Sequence, residues 1–249
     1  MNGVDSAAAL IKQARHVIAL TGAGISTPSG IPDFRSPNSG LWNKVDPMKV
    51  ASLQGFLANP RAYYEWRKPL RQTLRTAQPN PAHHALATLE ARGHVRAVVT
   101  QNIDGLHQRA GSQRVYEVHG NARELVCLAC RQVVAEEAQA ARTTQHDGVL
   151  YCGVCGGLLK PNVVFFGELL PPQVVREVER EVRACDLIIV VGSSLEVFPA
   201  CDWPREAVRH GARAIIINYQ PTYLDEQAAV VIHDDVATVL PAIVNTLAL

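Results

Sequence analysis

His16-Val17-Ile18-Ala19-Leu20-Thr21-Gly22-Ala23-Gly24-Ile25-Ser26 is an apolar run of strand length that passes straight into a glycine-bearing turn. An apolar run without polar alternation reads as a strand covered on both faces, the habit of parallel sheets wrapped by helices. Outward from it the same pattern repeats. Strands are expected at residues 16–20, 95–100, 115–118, 187–191, 214–217 and 230–233, with helical periodicity at 4–15, 81–92, 172–183, 203–210 and from 236 onward. The fold class is therefore α/β, a Rossmann-like parallel sheet. In such folds, glycines in the first strand-to-helix turn let backbone N–H groups approach a phosphate. Gly22, Ala23 and Gly24 stand at that place, but Thr27 replaces the third glycine of the dinucleotide fingerprint and Pro28 follows it, so the next helix is disturbed. On these residues alone, a plain turn is an equally good reading.

Two stretches break the α/β rhythm. Residues 36–80 carry no strand pattern and are punctuated by Pro47, Pro60, Pro69 and Pro79, which predicts a loop leading into short helices. Further on, Cys127-Leu-Ala-Cys130 and Cys152-Gly-Val-Cys155 have metal-knuckle spacing. Two short turns can each present two sulfurs to one tetrahedral ion, so the pairs predict a zinc ribbon at 121–160, inserted into the larger domain. Iron fits the same ligand set. Disulfides would need an oxidising compartment, and a single redox pair would explain only half of the pattern. Four protein thiolates leave no open position, which makes the site structural. Cys185 and Cys201 have no such spacing and read as ordinary small residues.

The chain has 249 residues, 47% hydrophobic and 19% charged, enough for one large core with a small satellite. A formal net charge of +1 does not support a dedicated nucleic-acid-binding surface. Apolar runs such as 187–191 fall far short of a membrane span, and residues 1–20 lack the pattern of a secretory leader. A reducing, cytoplasmic location is the expectation.

At the carboxyl edge of the second and third expected strands lie Gln101, Asn102, Asp104 and His119. Open α/β sheets bind ligands at that edge. Histidine is the side chain whose ordinary pKa suits proton abstraction near neutrality, so His119 is the candidate general base.

The run from Gly22 to Arg35, Gly-Ala-Gly-Ile-Ser-Thr-Pro-Ser-Gly-Ile-Pro-Asp-Phe-Arg, closely resembles the signature of the sirtuins, the NAD-dependent protein deacylases. Further blocks follow in that family's order: Thr100-Gln-Asn-Ile-Asp104, His119-Gly120, the two cysteine pairs, Lys160-Pro-Asn-Val-Val-Phe-Phe-Gly-Glu168, Gly192-Ser-Ser194 and Ile217-Asn218. The resemblance implies a Rossmann-like NAD-binding domain built from 1–35, 81–120 and 161–249, a cofactor loop with helical insertion at 36–80, and one structural zinc. It also implies a reaction in which the acyl oxygen of a modified lysine attacks the nicotinamide ribose of NAD. Nicotinamide leaves, an alkylimidate forms, and His119 draws a proton through the ribose hydroxyls, so that free lysine and O-acyl-ADP-ribose result. By the same resemblance Ile103 and Asp104 hold the carboxamide, and Gln101 and Asn102 orient the ribose and a water. Ala23, Asp33 and Arg35 line the cofactor loop, Phe34 shields the sugar, and Gly192, Ser193, Ser194, Asn218 and Val236 hold the adenosine end. Acyl-lysine proteins are expected to bind as extended peptides between 163–169, with Val163, Phe165, Gly167 and Glu168, and 196–198, with Val197. Plain core packing is the competing reading for Phe165 and Val197, and the favoured one for Phe166.

The acyl group is less clearly written. Tyr64 and Arg67 match the Tyr-x-x-Arg spacing of the succinyl- and malonyl-removing sirtuins and would share one helical face, where phenol and guanidinium could grip a carboxylate. Asp33 stands where that subgroup usually has threonine, and Arg61, Arg67, Lys68, Arg71 and Arg75 also read as a solvated basic face. Acetyl-lysine is thus the expected substrate, similar to the bacterial acetyl-preferring branches, with desuccinylation or ADP-ribosyl transfer to protein as alternatives. A binder without turnover has no need of His119.

Overall fold

Parallel strands buried on both faces form the frame. The computed structural model describes residues 3–33, 40–43, 45–136 and 143–248. Among them, β1 (Val17–Thr21), β2 (Ala97–Thr100), β3 (Val115–Glu117), β9 (Leu187–Val191), β10 (Arg213–Ile217) and β11 (Val230–Ile232) make one six-stranded sheet in the order β11-β10-β9-β1-β2-β3. Every pairing in it is parallel. Alternate residues feed opposite layers. Val17, Ala19, Ile189 and Ile215 face α1 (Gly3–Gln13), α5 (Pro81–Ala91) and α9 (Val236–Leu247). Ile18, Leu20, Ile188 and Ile216 face α7 (Pro172–Ala184) and α8 (Trp203–Arg209). Strand order reverses between β1 and β9, and the crevice beyond their carboxyl ends is where such sheets take ligands.

After β1 the chain enters two successive 3-10 turns, Ala23–Ile25 and Thr27–Ser29, with Pro28 inside the second. This is the disturbed helix that Thr27 and Pro28 predict. The proline-marked stretch departs further from expectation. It contains α2 (Pro47–Val50) and α3 (Leu53–Ala58), but then α4 runs for 17 residues, Pro60–Thr76, straight through Pro69. Two of these prolines, Pro47 and Pro60, are helix starts, as is Pro81 just beyond them. Asp46, Asn59 and Asn80 cap helices whose first residues are Pro47, Pro60 and Pro81, a position where the missing N–H costs nothing. Pro69 is exposed, on the side of α4 opposite buried Tyr63, Tyr64 and Arg67.

The cysteine region is built on β4 (Gly120–Cys127), which pairs antiparallel with β5 (Val133–Ala135) and β8 (Leu159–Val163), beside a hairpin of β6 (Thr143–His146) and β7 (Val149–Cys152). It does not pack alone. Leu125, Leu150 and Leu159 share one apolar cluster with Phe56 of α3, Tyr63 and Tyr64 of α4, and Phe165. The two insertions, far apart in sequence, thus form one body beside the large sheet. No helix among the described residues is long and apolar enough to cross a membrane.

Candidate active site and metal centre

The four thiols of Cys127, Cys130, Cys152 and Cys155 lie within 4.8 Å of one another. Sulfur pairs sit 3.5 Å apart for Cys127–Cys155 and 3.8 Å for Cys130–Cys152, far beyond a disulfide bond. A tetrahedron of ~2.3 Å zinc–sulfur bonds has edges of about 3.8 Å, so the donor set fits one zinc ion.

At the sheet's carboxyl edge, Gly22 N donates to Val191 O (3.1 Å) and Gly24 N to Gly192 O (2.9 Å). These amides join the β1 and β9 loops and are not spare donors for a phosphate, as the sequence had suggested. The glycines are needed for approach. A Cβ on Gly24 would meet Gly192 Cα at 2.8 Å, and one on Gly192, whose φ is +58°, would meet Ile25 N at 2.3 Å.

Next to this junction, the turns after β2 and β3 bring Gln101, Asn102, Ile103, Asp104 and His119 onto the wall of one cavity of about 770 Å³, which Ala23, Val163, Phe165, Gly167, Glu168 and Val197 also line. His119 Nδ1 is 3.1 Å from the Gln101 carbonyl, the contact of an Nδ1–H donor, which makes Nε2 the basic ring nitrogen. The chain can turn immediately after it because Gly120 has φ +74° and packs so tightly that a Cβ would lie 2.0 Å from Asn162 O. Asn102 Nδ2 donates to Gly22 O (3.0 Å) and Ser26 Oγ (3.1 Å), and Gln101 Nε2 to Ser193 Oγ (3.0 Å). Asp104 accepts from Ser26 Oγ (2.7 Å) and Leu106 N (2.8 Å). Burial pushes its carboxyl above the ordinary range, and those two hydrogen bonds hold it back.

Behind this wall lies a polar layer that the sequence reading missed. His83 Nδ1 accepts from Asn80 N at 3.3 Å, which turns Nε2–H toward Ser26 Oγ at 3.5 Å. Ser26 therefore accepts twice and donates once, to Asp104. His107 Nε2 contacts Thr21 Oγ1 (2.9 Å), which donates to Thr100 Oγ1 (2.8 Å), which in turn accepts from Asn102 N (3.1 Å). The two imidazole rings are 4.9 Å apart. The available signal was a histidine at the third helical position after Asn80, where it closes a capping box.

Other expected residues fall elsewhere. Gly192, Ser193 and exposed Ser194 follow β9, and Asn218 follows β10, its Nδ2 bonded to Gln220 O at 2.7 Å. Val236 begins α9 with its side chain in the core, so what it can offer a ligand is main chain. Asp33 accepts from Leu41 N at 3.0 Å through its carbonyl. Phe34 and Arg35 lie outside the described residues.

Tyr64 and Arg67 require correction. Each is 6% exposed, and neither lines the cavity. Tyr64 Oη donates to Leu159 O (2.9 Å) and Arg67 pairs with Glu136 (2.9 Å), so both point at the cysteine-bearing insertion and not into the cavity. Tyr63 and Trp66 of the same helix line the cavity instead. Phe166 reverses the other preference: it is 37% exposed on the cavity rim, whereas Phe165 is in the core cluster as well as on the wall. Glu168 is turned inward, to Lys160 Nζ at 2.9 Å.

Residues 22–199 match the Sir2 family. The chain belongs to that family. It is 45% identical over 243 residues to NAD-dependent protein deacylase 2 of Archaeoglobus fulgidus, a match covering 97% of this chain and 95% of that protein. Among solved structures, a Sir2 variant with a deacetylated p53 peptide and 3′-O-acetyl-ADP-ribose superposes with TM-score 0.89 at 39% identity, over 97% of each chain. Sir2Tm bound to a propionylated peptide gives TM-score 0.88 at 38% identity, over 98% of each chain. The six-stranded sheet and the four-cysteine cluster described above are thus those of a Sir2 protein.

Proposed function

We propose that the protein removes acyl groups, chiefly acetyl, from lysine side chains of proteins, consuming NAD and releasing nicotinamide, O-acyl-ADP-ribose and free lysine. The observation that carries the reading is the convergence of His119, Gln101, Asn102, Ile103 and Asp104 on one cavity that also reaches the peptide-sized edges at 163–169 and 197–199. Bound NAD supplies the electrophile, a ribose carbon whose bond to nicotinamide gives way to the acyl oxygen. The chain's own groups position and deprotonate. Ile103 and Asp104 hold the carboxamide, Asp104 being kept in place by Ser26 and the Leu106 amide. With Nδ2 of Asn102 spent on Gly22 and Ser26, Oδ1 is the atom it has to offer a ribose hydroxyl or a water. His119, its tautomer set by the Gln101 carbonyl, takes the ribose proton at Nε2. The apolar share of the wall, from Ile31, Tyr63, Trp66 and Leu70, keeps competing water away from the reacting carbon.

An extended acyl-lysine peptide fits the groove because added-strand pairing draws on main chain and demands little of the flanking sequence. Acetyl is preferred because the one phenol–guanidinium pair expected to take an acyl carboxylate is turned away from the cavity. The test combines labelled NAD with an acetylated peptide and weighs the products. O-Acetyl-ADP-ribose and free lysine are expected, whereas ADP-ribose fixed to protein would favour transfer instead. His119→Ala should keep the fold and NAD binding while losing turnover by about 10²–10⁴-fold, the usual worth of a positioned base.

A further inference from the structure

The turn at 163–168 is held from three sides. Val164 N donates to His119 O (2.8 Å), while Phe166 N donates to Ala51 O (3.0 Å) and Phe166 O accepts from Leu53 N (3.0 Å). Beneath it lies Lys160, its side chain 4% exposed. Its Nζ donates to Pro161 O (3.1 Å) and to Val163 O, pairs with Glu168 Oε2 (2.9 Å) and sits 4.2 Å from the centre of the Phe165 ring. Glu168 Oε2 also accepts from Phe165 N (2.8 Å), and Glu168 N donates to Phe165 O (3.0 Å). One ammonium–carboxylate pair therefore ties the first and last residues of the turn, and Val164, next to the first, is bonded to the backbone of His119.

Stability alone does not call for this pair. Apolar side chains of similar volume would fill the space at least as well, because burial takes both charges out of water. Burial indeed pulls the Lys160 ammonium below its ordinary range, against the pull of Glu168. What the pair adds is direction: fixed donors on the carbonyls of Pro161 and Val163 and a fixed acceptor on the amide of Phe165. With these main-chain groups engaged, and the Glu168 amide turned back to Phe165 O, the outer edge that faces a peptide is carried by the main chain of Gly167 and Leu169 and by the Glu168 carbonyl. Gly167 has φ +88°, and Leu169 is 90% exposed.

We propose that Lys160 and Glu168 are positioning residues of the deacylation reaction. They hold the 163–168 turn so that its edge at residues 167–169 stands in line to pair with an extended acyl-lysine peptide and Val164 keeps the His119 backbone at the acyl end of the cavity. This rests on the deacylase reading above. Both residues act through main chain, so their loss bears on peptide and leaves the NAD side, built on β1, β2 and β9, in place.

The zinc-loaded full chain is tested as wild type, Lys160→Met, Glu168→Gln and Lys160→Arg. Readouts are the Kd of a fluorescein-labelled acetyl-lysine peptide, KM for that peptide, KM for NAD, and Tm. In Lys160→Met, peptide Kd and KM should rise about tenfold, equivalent to about 1.4 kcal/mol. KM for NAD should stay within about twofold, and Lys160→Arg should recover most of the loss. Should Lys160→Met fail to fold, the isosteric Glu168→Gln carries the same expectation. Unchanged peptide binding in these variants, or a parallel loss of peptide and NAD affinity, overturns the proposal. Because binding is read without turnover, failure of the deacylase reading is seen separately, as a wild type that binds the peptide but releases no nicotinamide.

Discussion

Acid should destabilise this protein through two histidines behind the active-site wall. Burial pushes His83 down to about 3 and His107 down to about 4 from the ordinary 6.5, with the neighbouring imidazole adding to the effect at His83. The geometry agrees: Nδ1 of His83 must accept from Asn80 N, and Nδ1 of His107 has no hydrogen-bond partner among the described residues, so a proton placed on either finds no acceptor. Both groups bind fewer protons folded than unfolded below pH 6.5. Their contribution is therefore fully present above that pH and is lost as pH falls toward the folded values. At pH 5 linkage gives a loss of about 2 kcal/mol for each histidine, or about 4 kcal/mol together. That is a large part of a typical total of ~5–15 kcal/mol. The assay is urea unfolding of the zinc-loaded protein at pH 7, 6 and 5, in wild type and in the double variant His83→Gln with His107→Gln. Glutamine supplies an N–H toward Ser26 and Thr21 but does not titrate. Acid effects common to both proteins, zinc release included, cancel in the comparison. The double variant should lose about 4 kcal/mol less than wild type between pH 7 and 5. Equal losses in the two proteins would refute the reasoning.

Removal of the metal, by strong chelation or by Cys127→Ala, should release one zinc per chain and abolish deacylation, since thiolate sites lend binding energy to folding; full activity of a demonstrably metal-free protein would contradict it. Arg67→Ala should cost about 2–3 kcal/mol by uncovering Glu136, which among the described residues keeps its pairing with Arg71 at 3.0 Å, and should leave the ratio of kcat/KM for matched acetyl and succinyl peptides unchanged. A selective loss of desuccinylation would return Arg67 to the acyl site. Gly24→Ala should force the β1 and β9 loops apart, because its Cβ meets backbone at 2.8 Å, and weaken NAD binding at least tenfold, as a loss of ~1.4 kcal/mol would. Calorimetry against NAD decides it, and unaltered affinity would show that the junction yields cheaply.

What the sequence made legible was whatever follows from local pattern. Strands such as Leu187–Val191 are apolar at every position because helices cover both faces, so no alternation was needed to find them. His119 and Gln101 were found because strand ends in an open sheet are ligand positions. The cysteines were found because two knuckles imply a shared ion. Direction across a helix was not legible. Tyr64 and Arg67 do share a face of α4, but i, i+3 spacing does not say whether that face meets the cavity or the ribbon, and Tyr63 and Trp66 took the cavity. Prolines misled for a related reason. Read as breaks, they concealed the Asx–Pro helix starts and a 17-residue α4 that tolerates Pro69 on its exposed side. The inward turn of Glu168 depends on Lys160, eight positions earlier, through a fold of the chain that no periodicity encodes.

The apolar cluster joining Phe56, Tyr63 and Tyr64 to Leu125, Leu150 and Leu159 restricts how such a protein can be recombined. A chimaera that takes the cysteine ribbon from a relative inherits half of a core, and its new surface must match side chains contributed by α3 and α4, far upstream in the chain. Exchange of either segment by itself leaves mismatched aromatic surface; exchange of both together preserves the join. Sequence drift in one of these segments is thus held in check by the other, and substitutions that survive there should come in compensating pairs across the gap.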